Sequence, residues 1–250
     1  MTSRTNNLRL TFLDFLRGCL IFMMIIYHLF WDLGYFGYID ISYVISGMGL
    51  LVAQFIGASF IFLSGISISL FLTSNYFSGY LFLLKLTKIF GISAAISLVT
   101  WLVDPQSFIF FGILHLLSVC YLLGFCMLRI KKPFLLNATI VIFCLVWISE
   151  LKFDLSPLWV WIGVSQVILS SNDFYPLIPW CIFFLIGIRF SNHILRQIKK
   201  LNVESWRNCS GDFPLKFKVI LWAGKKSLII YICHQPLFFS LFLAFNALKS

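Results

Sequence analysis

Residues 13–33 read LDFLRGCLIFMMIIYHLFWDL. A run of this length reaches about 30 Å as an α-helix, the thickness of a bilayer's hydrocarbon core. Asp14, Arg17, His28 and Asp32 are nevertheless set into it. At about 100° per residue the four fall within an arc of about 60°, so they form one polar seam along an otherwise apolar helix. Ionisable groups inside a span face the bundle interior or a water-filled cavity, and they mark function by default. The competing reading is structural: an interfacial Asp14–Arg17 ion pair and a satisfied His28–Asp32 pair.

The rest of the chain is of the same kind. Of 250 residues, 60% are hydrophobic and only 11% charged, against about 25% charged in a soluble domain. Apolar segments of span length recur near 10–32, 48–72, 80–103, 108–128, 134–150, 174–191 and 219–245, which predicts an all-α, polytopic transmembrane bundle of about seven spans. The alternation of a transmembrane barrel is missing. Arg17 interrupts the first apolar run and no small-residue cleavage site follows, so a cleavable signal peptide is not expected.

Charge predicts orientation. Of the 19 Lys and Arg residues, all but Lys152 and Lys249 fall on one side when the N-terminus is placed in the cytoplasm, which puts the C-terminus outside. Asp32, Asp40, Asp104, Glu150, Asp154 and Asp173 gather on the other side. The net charge of +10 is thus an orientation signal, and nucleic acid is not expected as a partner. The chain reads as one domain, 1–250. It carries a basic cytoplasmic loop at 192–218 and an outer interfacial or re-entrant segment at 151–173, where Trp159 and Trp161 suit headgroup level. No internal repeat supports an inverted-repeat transporter. The seven cysteines, Cys209 in the loop and the others in apolar helices, have neither metal-site nor disulfide spacing. They are read as packing residues, and no metal is expected.

His28 with Asp32 at i+4 has the spacing of an imidazole oriented by a carboxylate, the arrangement of a general base. His115, in FGILHLLSV with Ser118 at i+3, lies at a depth similar to His28. His234 lies in SLIIYICHQP with Ser227 and Tyr231 on its side of the helix and Pro236 just beyond. His28, Asp32, His115 and His234 are the catalytic candidates. Arg17, Lys85, Lys88 and Lys225 are candidates for holding the phosphates of an anionic cofactor at a cytoplasmic opening. Positive-inside bias and anionic lipid also account for most of these basic residues, but not for Arg17, which lies on the seam. Phosphate loops, HExxH and GxSxG are not found.

Five segments occur in order: DFLRG with His28 beyond it, FIFLSGISISL, FGILHLLSV, FYPLIPWCIFFLIGI and GKKSLIIYICHQP. Together they resemble the catalytic domain of the heparan-alpha-glucosaminide N-acetyltransferase family, and specifically its short bacterial relatives. Asp14, Arg17 and Gly18 fall on the family's D-x-x-R-G and Gly65 on its F-x-F-x-x-G. Gly112 and His115 fall on G-I-L-H, and Ser227, Tyr231 and His234 on S-L-x-x-Y-x-x-H. The first helix is also similar to that of broader membrane acyltransferases that modify cell-surface sugars.

The resemblance implies a multi-pass protein of the bacterial cytoplasmic (inner) membrane. It would move an acetyl group from cytosolic acetyl-CoA, as donor substrate, to an amine or hydroxyl of a sugar-containing acceptor outside. The lysosomal enzymes carry an active-site His in the outer loop after the first span, whereas residues 33–47 here, LGYFGYIDISYVISG, contain none. Heparan as acceptor therefore does not carry over. Which His is the base, and whether an acetyl-histidine forms, stay open, and a homodimer is compatible with the sequence. The alternative is a proton-coupled transporter or exporter that uses the same His/Asp seam.

Overall fold

In the computed structural model, residues 2–74, 77–130, 132–154, 156–167, 170–200 and 215–249 are described. Lys131, Cys209 and most of the expected 192–218 loop lie outside them. The elements are α1 (Thr2–Tyr35), α2 (Ser42–Ile45), α3 (Gly47–Leu72), α4 (Gly79–Val103), α5 (Ile113–Ile130), α6 (Pro133–Ile148), a 3₁₀ helix (Pro157–Ile162), α7 (Leu177–Lys200), α8 (Leu215–Lys225) and α9 (Ser227–Lys249). The architecture is all-α, and the described residues hold no named strand.

Among the described residues, six helical segments are long and apolar enough to cross a bilayer: Thr11–Tyr35, Gly47–Leu72, Gly79–Val103, Ile113–Ile130, Leu177–Ile194 and Ser227–Leu248. The remaining expected span corresponds to α6, which at 16 residues reaches only about 24 Å at 1.5 Å per residue. Large apolar side chains stand exposed along these helices, among them Phe55, Leu102, Phe134, Ile148 and Leu241. Water would not tolerate that surface, and lipid does. The chain is an integral, multi-pass membrane protein.

The chain divides into two compact units, residues 1–60 with 193–250 and residues 61–192. In the first, α1 and α8 cross with their backbones in contact. A Cβ at Gly18 would overlap the Ile220 carbonyl, and one at Gly224 would overlap the Asp14 carbonyl. Small residues at a crossing permit this approach, and close packing is what holds helices together where lipid weakens the hydrophobic effect. Ile21, Met24, Ile56 and Ala223 form the buried centre, flanked by Tyr27, Phe60, Ile230 and Tyr231. Phe15 stacks on Phe217 with centroids 4.6 Å apart. Toward the other end of α1, Phe36 packs against Phe239 and Phe242 of α9. These contacts fix α9 alongside α1 and so set the residues of the site opposite one another.

In the second unit α3 and α7 make a reciprocal crossing. Gly65 meets the Phe184 carbonyl and Gly187 meets the Phe62 carbonyl, each too closely for a Cβ. Ile61, Ile66, Leu116, Phe184 and Leu185 fill the interior. The Ser69 and Ser191 hydroxyls bond to each other at 2.8 Å, which satisfies two buried polar groups. Cys120 and Cys181 place their sulfurs 3.5 Å apart as free thiols, in keeping with packing residues.

Among the described residues of the expected outer segment 151–173, the helical element is the six-residue 3₁₀ turn. Gly163, at φ 94°, ends it. The turn is tied by a bridge between Phe153 and Ser165 and by Lys152 Nζ donating to the Gly163 carbonyl at 2.9 Å. Pro157 stands at the start of the turn, where its missing N–H forfeits no bond.

Candidate active site

Two helices of the first unit supply the site. On α1, His28 and Asp32 stand one turn apart on one face, as their spacing requires. On α9, His234 and Gln235 meet them. The His28 and His234 rings are 4.8 Å apart between centroids, tilted by 59°. Tyr27 lies edge-on to His28 at 5.5 Å, and Tyr231 and Phe238 lie 6.0 and 6.5 Å from His234. Asp32 is fully buried (0% exposed) and His234 nearly so (7%).

The hydrogen bonds define the chemistry left over. His234 Nδ1 lies 2.8 Å from the Tyr231 carbonyl and 3.2 Å from that of Ile230. Carbonyl oxygens only accept, so Nδ1 carries the hydrogen and the neutral ring keeps its basic lone pair on Nε2. That Nε2 is buried without a partner, as is His28 Nδ1. Pro236, inside α9, removes a backbone donor next to the site.

Asp32 is held differently from the sequence expectation. Its Oδ1 accepts a hydrogen bond from Gln235 Nε2 at 2.9 Å, while Oδ2 has no partner. The His28–Asp32 hydrogen bond expected from the i+4 spacing is therefore not formed. The carboxylate reaches across to α9 because an amide donor faces it there. The sequence reading passed over Gln235. Its signal is present in the sequence, since a polar side chain beside His234 in an apolar helix carries a desolvation penalty as the ionisable residues do.

Farther along the seam, Arg17 Nη1 pairs with Asp14 Oδ1 at 2.9 Å. Lys225 is exposed and follows Gly224, whose backbone rests on the Asp14 carbonyl. The other two candidate cofactor cations belong to the second unit. There Lys85 Nζ lies 5.1 Å from the Phe71 ring centre and 5.9 Å from that of Tyr121, while Lys88 is exposed.

His115 also belongs to the second unit, and both of its nitrogens are occupied. The Gly112 N–H donates to Nδ1 at 3.2 Å, so the ring hydrogen is on Nε2, which donates to Ser97 Oγ at 3.1 Å. Ser97 passes its own hydrogen to the Ile109 carbonyl at 2.6 Å. Asp173 Oδ2 accepts from the Ile113 N–H at 3.3 Å, satisfying the start of α5. Ser118, the i+3 neighbour of His115, donates to the Leu114 carbonyl.

Two acids of the expected outer side lie in loops. The Ser42 N–H and hydroxyl hold the Asp40 carboxyl below the usual carboxylate range, and Ser107 with the Gln106 N–H does the same for Asp104. Both remain ionised at neutral pH.

Among the described residues there is no cluster of His, Cys, Asp and Glu able to hold a metal ion. No curated protein and no solved structure matches the chain. A family model, described as heparan-alpha-glucosaminide N-acetyltransferase, catalytic, matches residues 9–236. That stretch takes in the polar seam of α1, the His115 network and the His234–Gln235 pair. The chain belongs to the heparan-alpha-glucosaminide N-acetyltransferase catalytic family and is a membrane acetyltransferase by family.

Proposed function

We propose that the protein moves an acetyl group from cytosolic acetyl-CoA to an amine or hydroxyl of a sugar-containing acceptor on the opposite side of a bacterial cytoplasmic membrane. The observation that carries this reading is the pair of contacting imidazoles, His28 and His234, each with a buried nitrogen left without a partner. A buried polar atom in a folded protein is normally satisfied. Two unsatisfied in one place, beside a fully buried carboxylate, suit a reacting guest better than a structural pair.

His234 Nε2 is the base of this scheme. It takes the hydrogen of the acceptor's amine or hydroxyl as that group attacks the thioester carbonyl. The carbon–sulfur bond breaks and coenzyme A departs as thiolate. The proton taken by His234 then returns to solvent or to the thiolate, so the ring is neutral again for the next cycle. The Asp32 carboxylate, buried nearby, favours the transient positive charge on His234. An acetyl group carried on either imidazole is a second route through the same residues.

Arg17 and Lys225 are the cations we assign to the phosphates of acetyl-CoA. His115 is given a structural role, because its two nitrogens are already engaged. The match over residues 9–236 supports a single functional domain that includes both compact units.

The test uses purified protein in detergent with radiolabelled acetyl-CoA and a panel of amino and neutral sugars. Label should pass to a sugar with the wild type, and transfer should fall by about 10²–10⁴-fold in His234→Gln, the usual range for losing a general base. Failure of the wild type to bind or consume acetyl-CoA with any acceptor would sink the reading and return attention to proton-coupled transport.

A further inference from the structure

Asp32 and Gln235 form a pair whose two atoms without any partner are both acceptors, beside the second hydrogen of the Gln235 amide. A carboxylate oxygen only accepts, so the end of the Gln235 amide facing Asp32 Oδ1 is its nitrogen, and Oε1 points elsewhere. Gln235 Oε1 and Asp32 Oδ2 are both buried and both without a partner. His234, the neighbour of Gln235 in sequence, leaves its Nε2 lone pair unmatched as well. Three acceptors with nothing to accept from are gathered where α1 and α9 meet. The reverse arrangement, unmatched donors, would suit an anion. This one suits a group that brings hydrogens.

We propose that Gln235 is a specificity-determining residue. With Asp32 it forms a two-oxygen clamp for the acceptor's protonated amine: two of the three ammonium hydrogens go to Asp32 Oδ2 and Gln235 Oε1 and the third to His234 Nε2, which takes it as a proton and leaves the nitrogen's lone pair free to attack. This rests on the acetyl-transfer reading. The clamp explains why the carboxylate is turned away from His28: held by Gln235, it is available to the guest rather than spent on the imidazole. It also gives the site a filter. A group with several N–H or O–H hydrogens satisfies the clamp, whereas an ether or an N-acetylated amine leaves part of it unpaired, which discriminates strongly. Acetylated product is thereby released, because the nitrogen has exchanged a hydrogen for the acetyl carbon.

The test measures equilibrium binding of radiolabelled glucosamine to purified full-length protein in nanodiscs, without acetyl-CoA, and transfer separately with labelled acetyl-CoA. Gln235→Leu keeps the side chain's size and removes both amide functions. It should weaken glucosamine about tenfold or more while acetyl-CoA binding stays within about twofold. The exchange variant Asp32→Asn with Gln235→Glu restores one N–H···O bond, two free oxygens and the charge. It should recover most of the glucosamine affinity, which a purely packing role for Gln235 would not predict. N-acetylglucosamine should bind about tenfold more weakly than glucosamine to the wild type and show little difference in Gln235→Leu.

Glucosamine binding that is absent in the wild type, unchanged in Gln235→Leu, or not rescued by the exchange would overturn the proposal. The two readings separate cleanly. Transfer with a Gln235-independent affinity removes the clamp and keeps the enzyme. Gln235-dependent binding without any transfer keeps the clamp and removes the enzyme.

Discussion

At the scale of single residues, three histidines with the same sequence setting have different free atoms. In His234 the helix's own carbonyls occupy Nδ1 and leave Nε2 open, while in His115 a backbone N–H and a serine occupy both nitrogens. Their substitution should therefore separate. His234→Gln should remove transfer and leave the melting temperature in detergent nearly unchanged. His115→Ala strands the Gly112 N–H and the Ser97 hydroxyl, and should cost about 1–3 kcal/mol of stability. The folded fraction of that variant should keep its turnover. A His115→Ala protein that is stable and inactive would move the base to the second unit.

All three histidines were legible in the sequence as ionisable groups in apolar helices. What each nitrogen does was not, because it depends on carbonyls and hydroxyls that only the folded backbone brings near. Asp32 shows the same limit. Its i+4 spacing from His28 is a local fact, whereas its partner, Gln235, lies 203 residues away.

At the scale of elements, glycines decide how closely helices approach. Gly18 and Gly224 let α8 rest on α1, and the D-x-x-R-G segment owes its last residue to that crossing. Adding a methyl at Gly224 puts it into the Asp14 carbonyl, so Gly224→Ala should separate the helices and disturb the Asp14–Arg17 pair. We expect a drop of at least about 2 kcal/mol in stability and a weaker affinity for acetyl-CoA, read by thermal unfolding and direct binding. Gly91, in α4, faces open space, and Gly91→Ala should change stability by less than about 1 kcal/mol. Equal effects at the two positions would remove the packing argument.

Helix existence followed from apolar run length and needed no structure. The 3₁₀ turn at Pro157–Ile162 was harder to foresee. Its stretch is apolar enough to suggest a longer interfacial helix, and what stops it is a positive φ at Gly163 under the Ile178 carbonyl.

For the whole molecule, span parity links topology to function. Six long apolar helices alone would bring both termini to the same side. The basic bias along the sequence predicts opposite sides, and on that expectation α6 would cross as well. It begins beside Arg129 and Lys132 and ends near Glu150, the polarity a crossing from the cytoplasm requires. Its apolar length falls short of the bilayer by about 6 Å, a mismatch that local thinning accommodates at modest cost. A C-terminal alkaline phosphatase fusion should be active and a C-terminal green fluorescent protein fusion dark. The reverse pattern would place both ends in the cytoplasm and take α6 out of the membrane.

The most direct measurement of the central claim uses wild type and His234→Gln in sealed proteoliposomes, with orientation verified by protease. Labelled acetyl-CoA is supplied outside, to the cytoplasmic face, and glucosamine is trapped within. The account predicts labelled N-acetylglucosamine inside wild-type vesicles and essentially none with His234→Gln. Equal labelling by the variant, or label confined to the outer solution, would contradict it.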